Sequence, residues 1–399
     1  MTELAYLDWN ATARLRPEAR EAVLAALDSG GNPSSVHGAG RAARRLVERA
    51  REQVAALAGA HPREVVFTSG GTEANTLALS PALRDRLLVS AIEHPSVRSG
   101  GQFQAVEELP AGADGVIDLE AIKRQLAHLS RPLVSIMLAN NETGVVQPVA
   151  QAAELVHAAG GLLHVDAIQG PGRMACDFKA LGADLMTLSA HKIGGPQGVG
   201  ALITRDALHI EPLIKGGGQE RGARGGTENV PGIAGFGAAA AAAGRNWREE
   251  AVLMAALRGR LEAGLTAISP QAVIFGAGAS RLPNTTLFAV PGVKAETAVI
   301  ALDLEGVAVS SGAACSSGKV TPSHVLAAMG IEAALAQGAI RLSLGYSTTE
   351  AEIEIFLKAW EKLSEGLYKS RNQQEIAAWR VPEPRKRTDH TDRIQPRGP

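Results

Sequence analysis

The chain has 399 residues, of which 45% are hydrophobic, 20% charged and only 4% aromatic, and its formal net charge is -1. This balance indicates a globular chain with room for a large core and two domains, and it argues against nucleic acid as the main partner. No basic region followed by an apolar stretch stands at the N-terminus, and the longest apolar run, around residues 233–243, is too short to span a bilayer. We therefore expect a cytoplasmic protein that binds neither nucleic acid nor membrane.

The predicted elements of the first two-thirds of the chain alternate between strands and helices. Two helices, 17–27 and 41–58, come first. The strands that follow are predicted at 64–67, 86–91, 133–138, 162–165, 184–188 and 199–204, and the helices between them at 74–79, 119–129 and 149–159. Alternation of this kind predicts an α/β fold, with a mostly parallel sheet between helices and binding sites at the carboxyl ends of the strands.

The last third of the chain has a different pattern. A long helical stretch, 238–268, is followed by short strands at 285–290, 307–310 and 340–344 and helices at 295–304 and 349–363. We predict a large domain over residues 15–255 and a smaller α+β domain that combines residues 1–14 with residues 256–370. Residues 371–399 are rich in proline and charge and are predicted to form a flexible tail.

A lysine follows one of the predicted buried strands. The apolar residues 185–188 run into the sequence SAHK at 189–192, and a glycine-rich turn comes next. Desolvation at such a position lowers the pKa of the Lys192 amine, and a neutral amine can form a Schiff base with an aldehyde such as that of pyridoxal phosphate. The alternative is a lysine whose ammonium group reaches solvent from the end of a strand.

Two other strand ends carry groups that suit the same cofactor. The sequence GGTE at 70–73 places backbone amides and a hydroxyl at a helix N-terminus, which is a phosphate-binding arrangement. Asp166 fits the partner of a protonated pyridine nitrogen, but a helix or turn cap explains that residue equally well when it is taken alone. His164 shares the strand face of Asp166, and zinc is a weaker reading because no third ligand has suitable spacing.

Three further residues could complete a site. His94 follows a strand and could stack on a cofactor ring and move protons, although a structural histidine is the commoner case. Asn141 lies in a polar segment after another strand. Its side-chain amide could donate a hydrogen bond to the cofactor ring or the substrate, or the segment could simply form a turn. Arg341 lies within an apolar strand, where its guanidinium requires either a substrate carboxylate or an internal salt bridge.

The two cysteines have different surroundings. Cys176 is predicted to be a packed core residue. Cys315 lies in the segment SSGAACSSG at 310–318, whose small and polar residues predict an exposed loop with a chemically usable thiol.

These motifs together resemble those of the cysteine desulfurases, in the NifS/IscS branch of the class V aminotransferase family. The resemblance covers residues 6 to about 367 and rests on GNPSS at 31–35, FTSGGTE at 67–73, NNETG at 140–144, HVD at 164–166, SAHK at 189–192, RGGT at 224–227 and SSGAAC at 310–315. It implies a fold-type I pyridoxal phosphate enzyme with a seven-stranded sheet in the large domain. The long cysteine-bearing loop resembles that of the first group of desulfurases.

The resemblance also implies roles for single residues. Lys192 carries the cofactor, His94 stacks on its ring, and Cys315 is the catalytic thiol. The cofactor is further held by Gly71, Thr72, Ser189 and His191 at its phosphate, by Thr227 of the partner subunit, by Asp166 at the pyridine nitrogen and by Gln169 at the ring hydroxyl. Asn141 also contacts the cofactor, and together with Arg341 it holds the substrate carboxylate.

The implied reaction transfers sulfur from L-cysteine to Cys315 as a persulfide and leaves L-alanine. The enzyme is then expected to be a homodimer that delivers sulfur to iron–sulfur cluster assembly, including that of nitrogenase, or to another acceptor. No resident metal is predicted. Cys315 is expected to be able to ligate an iron–sulfur cluster transiently. The alternatives are a selenocysteine lyase or another pyridoxal phosphate enzyme of the same family, and an inactive scaffold for iron–sulfur assembly.

Overall fold

The computed structural model describes residues 4–80, 82, 84–312 and 323–378, and the side chains of residues 366–378 are outside that description. The strands of the described part are β1 (Ala5–Tyr6), β2 (Val65–Thr68), β3 (Leu87–Ser90), β4 (Glu107–Leu109), β5 (Leu133–Met137), β6 (Leu162–Asp166), β7 (Leu185–Ser189), β8 (Gly200–Thr204), β9 (Val273–Ile274), β10 (Thr285–Ala289), β11 (Val307–Ala308), β12 (Ser310–Ser311) and β13 (Ile340–Ser343). Its helices are α1 (Pro17–Ser29), α2 (Gly38–Leu57), α3 (Gly71–Ala78), α4 (Pro95–Arg98), α5 (Leu119–Leu126), α6 (Val149–Ala158), α7 (Val230–Ile268), α8 (Ala295–Leu304), α9 (His324–Ala328), α10 (Ala333–Ala336) and α11 (Glu350–Ala378).

The central sheet has seven strands in the order β2-β8-β7-β6-β5-β3-β4. Strand β8 is antiparallel to both of its neighbours, and the other four pairings are parallel. Every residue of β5, β6, β7 and β8 is buried, because helices cover both faces of the sheet. The side chains alternate between two cores, so that Val134 and Ile136 of β5 join one core and Leu133 joins the other. The predicted mostly parallel α/β sheet is confirmed.

A second, antiparallel sheet has the order β12-β13-β10-β9, and β1 pairs with β11 in a separate parallel ribbon. Its core contains Phe288, Phe356 and Trp360, with the Phe288 and Trp360 rings in edge-to-face contact at 5.1 Å. The N-terminal segment therefore packs with elements from the end of the chain. This arrangement supports the two-domain division, whose boundaries stay a prediction.

Several predicted boundaries are wrong, each for a local physical reason. The long helix begins at Val230 rather than at 238, because the Asn229 side chain caps it by accepting from the Gly232 amide, with proline in its first turn. The predicted strand 307–310 is two short strands, because β11 pairs with β1 while β12 pairs with β13.

The C-terminal helix is longer than the sequence pattern indicates. It continues through residues 371–378, which were predicted as tail, because glycine and proline are absent between residue 367 and Pro382. Residues 379–399 lie outside the described residues. Among the helices that the structure describes, we find none that is long and apolar enough to cross a membrane.

Candidate active site

One cavity in the described part of the chain has a volume of about 290 Å³ and lies at the carboxyl ends of the parallel strands. It is lined by ten of the predicted site residues: Gly71, Thr72, His94, Asn141, Asp166, Gln169, Ser189, His191, Lys192 and Arg341. Asn10 and Ala11 of the N-terminal segment line it too. Residues from seven separated parts of the chain therefore meet at one edge of the sheet, as the strand-end argument predicts.

Asp166 is the last residue of β6 and is almost fully buried. Its Oδ2 accepts from Asn75 Nδ2 at 2.9 Å and its Oδ1 from the Ile168 amide at 3.0 Å. Burial raises the pKa of this carboxyl group, and the two hydrogen bonds and the nearby His94 and Lys192 oppose that shift. A cation at this point, such as a protonated pyridine nitrogen, would favour the ionised carboxylate.

Asn75 is a site residue that the sequence analysis missed. It is fully buried in α3, and its Oδ1 accepts from the Thr187 hydroxyl of β7 at 2.7 Å. Its Nδ2 also donates to Ser96 Oγ at 2.9 Å, so one amide connects Asp166, the strand that leads to Lys192, and the helix that follows His94. The partners of Asn75 are far away in sequence, and no local pattern identifies them.

Lys192 ends a short 3-10 turn, Ala190–Lys192, directly after β7. Its Nζ donates to the main-chain oxygens of Asn10 at 2.6 Å and Ala11 at 2.8 Å. The amine is therefore inside the cavity and not extended into solvent, which favours the covalent reading of this residue. Asn10 was also missed by the sequence analysis.

The phosphate-binding prediction corresponds to the N-terminus of α3. Gly71 is the first residue of this helix, and a Cβ atom there would come too close to the terminal methyl group of Ile168, which lines the same cavity. Thr72, Ser189 and His191 lie beside it in the cavity lining. Burial and the Lys192 charge lower the pKa of His191 to about 4, so its imidazole is neutral at pH 7. Backbone amides, hydroxyls and a neutral imidazole form a donor set that fits a phosphate group.

His94 is held at the N-terminus of α4. Its Nδ1 accepts from the Ser96 amide at 3.2 Å and lies 2.8 Å from Ser96 Oγ. A backbone N–H can only donate, so Nδ1 is unprotonated and the proton of the neutral ring is on Nε2. Burial lowers the pKa of His94, with Asp166 opposing and Lys192 adding to that shift.

Arg341 forms the internal salt bridge that the sequence left as one of two readings. Its Nη2 forms an ion pair with Asp8 at 2.8 Å, and its Nη1 donates to the Asn141 carbonyl at 3.1 Å. The same side chain lines the cavity. The ion pair with Asp8 therefore fixes a guanidinium group at the cavity wall, and such a group can bind a carboxylate.

Of three further cysteine and threonine positions predicted from the sequence, two lie elsewhere and one is outside the described residues. Thr227 lines a separate cavity of about 240 Å³ beside Arg224 and Glu228, so this chain does not bring it to Lys192. Cys315 lies outside the described residues. Cys176 is buried in the core, as predicted, and burial raises the pKa of its thiol.

The zinc reading of His164 finds no support. The ring is fully buried, its Nδ1 lies 2.7 Å from Ser135 Oγ, and burial lowers its pKa to about 3. Within the ranges that the structure covers, no group of three or more His, Cys, Asp or Glu side chains could hold a metal ion.

A family model described as Aminotransferase class-V matches residues 5–356. The chain belongs to the class V aminotransferase family. Membership of this family confirms the predicted fold class and pyridoxal phosphate as the cofactor that the cavity residues fit.

Relatives of known name are similar over most of this chain. A cysteine desulfurase of Cereibacter sphaeroides is 46% identical over 369 residues, which is 89% of this chain and 94% of that protein. The cysteine desulfurase NifS of Azotobacter vinelandii is 40% identical over 361 residues, or 88% of this chain and 90% of that one. The crystal structure of a NifS-like protein from Rickettsia africae has a TM-score of 0.85 at 38% identity and covers 91% of this chain and all of that one.

Proposed function

We propose that this class V aminotransferase family member is a pyridoxal-phosphate-dependent cysteine desulfurase. The observation that carries the proposal is one cavity in which Lys192, Asp166 and His94 meet Arg341, in a chain 46% identical to a cysteine desulfurase over 369 residues. The same residues predict this activity from the sequence, and the similarity to known cysteine desulfurases supports it.

The residues of the cavity divide between cofactor and substrate. Lys192 would hold the cofactor at its aldehyde, Asp166 at its pyridine nitrogen, and the α3 N-terminus with Ser189 and His191 at its phosphate. When bound, pyridoxal phosphate supplies an electron sink that weakens the bonds around Cα and Cβ of an amino acid. Arg341, fixed by Asp8 at the cavity wall, binds the substrate carboxylate.

Proton transfer belongs to Lys192, and His94 supplies a hydrogen-bond donor. Once its amine is free, Lys192 can take the substrate Cα proton, and the Asn10 and Ala11 carbonyls stabilise the resulting ammonium group. His94 has a neutral ring with its proton on Nε2, so it can donate a hydrogen bond in the cavity without carrying a charge.

Sulfur transfer requires a nucleophile, and Cys315 is our candidate. Its thiolate forms a bond to the sulfur of the substrate cysteine while the substrate Cβ–S bond breaks. The electron pair left on carbon takes a proton to give L-alanine, and Cys315 keeps the persulfide. The thiol of Cys176 is buried in the core and serves as an internal control.

The deciding experiment compares alanine and persulfide formation from L-cysteine by the wild type, Cys315→Ser and Cys176→Ser. We expect Cys315→Ser to lose at least about 100-fold in rate while Cys176→Ser stays close to wild type. Borohydride reduction followed by peptide mapping is expected to fix the cofactor on Lys192 in all three. Equal rates in the two serine variants would contradict a desulfurase that uses Cys315.

The finer parts of the function are proposals as well. A selenocysteine lyase is the alternative within the family, and a Cys315→Ser protein that still acts on L-selenocysteine but not on L-cysteine would favour it.

We propose a homodimer in which Thr227 approaches the partner's phosphate site, as in the sequence prediction; sedimentation of the holoenzyme tests it. The iron–sulfur scaffold as sulfur acceptor and the cytoplasmic location stay predictions.

A further inference from the structure

Arg173 is a buried cation beside the active site that the proposed reaction does not use. It is 6% exposed, and none of the ion pairs within the described residues includes it. Burial lowers the pKa of its guanidinium to about 10, and the charge of Arg341 adds to that shift. A buried charge without a carboxylate partner is costly, so its contacts call for an explanation.

Those contacts reach both sides of the cofactor pocket. Arg173 Nη1 donates to the main-chain oxygen of Gln169 at 2.9 Å and to Gln169 Oε1. Its Nη2 donates to the main-chain oxygen of Lys192 at 3.4 Å. One guanidinium therefore connects the turn that follows β6 to the turn that follows β7.

The contact with Gln169 determines which way its side-chain amide points. Arginine has donors and no acceptor, whereas the Asn10 carbonyl, 3.1 Å from Gln169 Nε2, is purely an acceptor. Oε1 must therefore face Arg173, and the NH2 group must face Asn10 and the cavity that both residues line. The bond to Asn10 uses one of the two amide hydrogens.

We propose that Arg173 is a positioning residue that locks the Gln169 amide with its second N–H available to an acceptor on the cofactor ring. The inference rests on the proposed function, since it takes pyridoxal phosphate as the occupant of the cavity. A donor fixed in advance stabilises negative charge on a ring oxygen without reorganisation, whereas a freely rotating amide presents its oxygen to the ring part of the time.

The test is a double-mutant cycle on cofactor affinity. The variants are Arg173→Met, Gln169→Ala and their combination, and the apoproteins are titrated with pyridoxal phosphate while the visible absorption is followed. We expect Arg173→Met to weaken cofactor binding about tenfold and to move the pH midpoint of the visible absorption. In the Gln169→Ala background, the same change is expected to have little further effect.

Two outcomes overturn the proposal. Equal weakening by Arg173→Met in both backgrounds would assign Arg173 a structural role that is independent of Gln169. Unchanged affinity and an unchanged pH midpoint in the wild-type background would leave it without any role toward the cofactor.

A conservative variant protects the experiment against misfolding. Arg173→Lys keeps the charge but replaces the forked guanidinium by a single ammonium group, and it is expected to recover part of the affinity. If Arg173→Met does not fold, Arg173→Lys completes the cycle. Thermal unfolding of each apoprotein checks the fold. If the wild type neither absorbs in the visible with the cofactor nor is fixed at Lys192 by borohydride, the proposed function itself is contradicted. If the wild type, the two single variants and the double variant all bind the cofactor with the same affinity, only the assignment of Arg173 is contradicted.

Discussion

Glu142 carries a carboxyl group that is almost fully buried beside the cavity residue Asn141. Its Oε2 accepts from Ser323 Oγ at 2.5 Å, and Ser323 is the first described residue after the segment that contains Cys315. The next residue, His324, is held by the Glu93 carbonyl at 2.8 Å from its Nε2. Two adjacent residues are thus tied to the turns that carry Asn141 and His94.

The Glu142 contact predicts a pH-dependent contribution to stability. Burial raises the pKa of Glu142 from 4.5 to about 7, against the opposing effects of Ser323 and Arg341. The folded state then retains the proton to higher pH than the unfolded chain does. This contribution is present in full below about pH 4.5 and is lost as the pH rises through about 7, by an amount on the order of 3 kcal/mol.

Glu142→Gln keeps an acceptor for Ser323 and removes the titration. We expect the free energy of unfolding of the variant to rise relative to that of the wild type as the pH increases from about 5 to about 8. Urea unfolding at several pH values measures it, with the exposed Glu361→Gln as control. Parallel pH profiles for wild type and Glu142→Gln would show that the carboxyl group is ionised throughout.

At the scale of elements, the Arg51–Glu220 ion pair fixes the glycine-rich segment that precedes α7. Both side chains are buried, and the two N–O contacts measure 2.7 and 2.8 Å. Glu220 also accepts from the Phe67 amide of β2 at 2.9 Å, and both Glu220 and Arg221 have left-handed backbone angles, with φ of 45° and 55°. The pair therefore ties α2 and the sheet edge to a strained turn.

Glu220→Gln removes the buried counter-ion of Arg51 and leaves only the exposed Glu48. We expect a loss of about 3–5 kcal/mol in the free energy of unfolding, because a buried charge that loses its buried partner costs more than the pair contributes. Urea unfolding measures it. The matched control is Glu48→Gln, which removes the second and exposed partner of Arg51 and is expected to cost less than about 1 kcal/mol. Similar losses in the two variants would contradict the special role of the buried pair.

A pair of glycine substitutions tests how β13 connects to the N-terminal segment. A Cβ atom at Gly345 would overlap the indole ring of Trp9, which is buried, whereas one at Gly259 in α7 would meet nothing within 4 Å. We expect Gly345→Ala to lower the free energy of unfolding by about 1–3 kcal/mol. Gly259→Ala is expected to raise it by about 0.5–1 kcal/mol through helix propensity. Thermal unfolding of both variants measures the signs, and a stable Gly345→Ala protein would contradict the close packing of Trp9.

Whether a residue could be predicted from the sequence depends on how the elements bring its partners together. Lys192 and Asp166 were predictable because each polar residue follows an apolar run, and parallel strands bring their ends to one edge. Asn10, Asn75 and Arg173 were not, because each acts through partners far along the chain. The start of α7 was misplaced because alanine and glycine give weak periodicity, although the cap residue Asn229 was visible in the sequence.

At the scale of the whole molecule, Asn10 connects the cofactor pocket to the second sheet. Its carbonyl accepts from Lys192 and Gln169, and its Nδ2 donates to the Asn141 carbonyl at 3.1 Å and to Thr285 Oγ1 at 2.9 Å. Its Oδ1 accepts from Asn284 Nδ2 at 3.1 Å. The side chain is 1% exposed, so water does not replace these partners.

Asn10→Ala removes the side-chain contacts and keeps the carbonyl. We expect the free energy of unfolding to fall by about 1–3 kcal/mol, because buried groups of both sheets lose a partner, and the KM for L-cysteine to rise because Asn141 and Arg341 share that network. Thermal unfolding and steady-state kinetics measure the two effects. The exposed Asn246→Ala in α7 is the control. An unchanged KM together with a lower stability would confine Asn10 to a structural role.

The position of Asn10 also bears on biosynthesis. The main-chain amide of Asn10 donates to Ser343 Oγ, and Ser343 comes 333 positions later in the chain. Thr285 and Asn284, which contact the Asn10 side chain, are more than 270 positions away. A ribosome that has completed the seven-stranded sheet has still not translated these partners, although Asn141, Gln169 and Lys192 are already available to Asn10. The N-terminal segment can therefore dock on the large sheet first, and the second sheet can close around the Asn10 side chain only when elongation is almost finished.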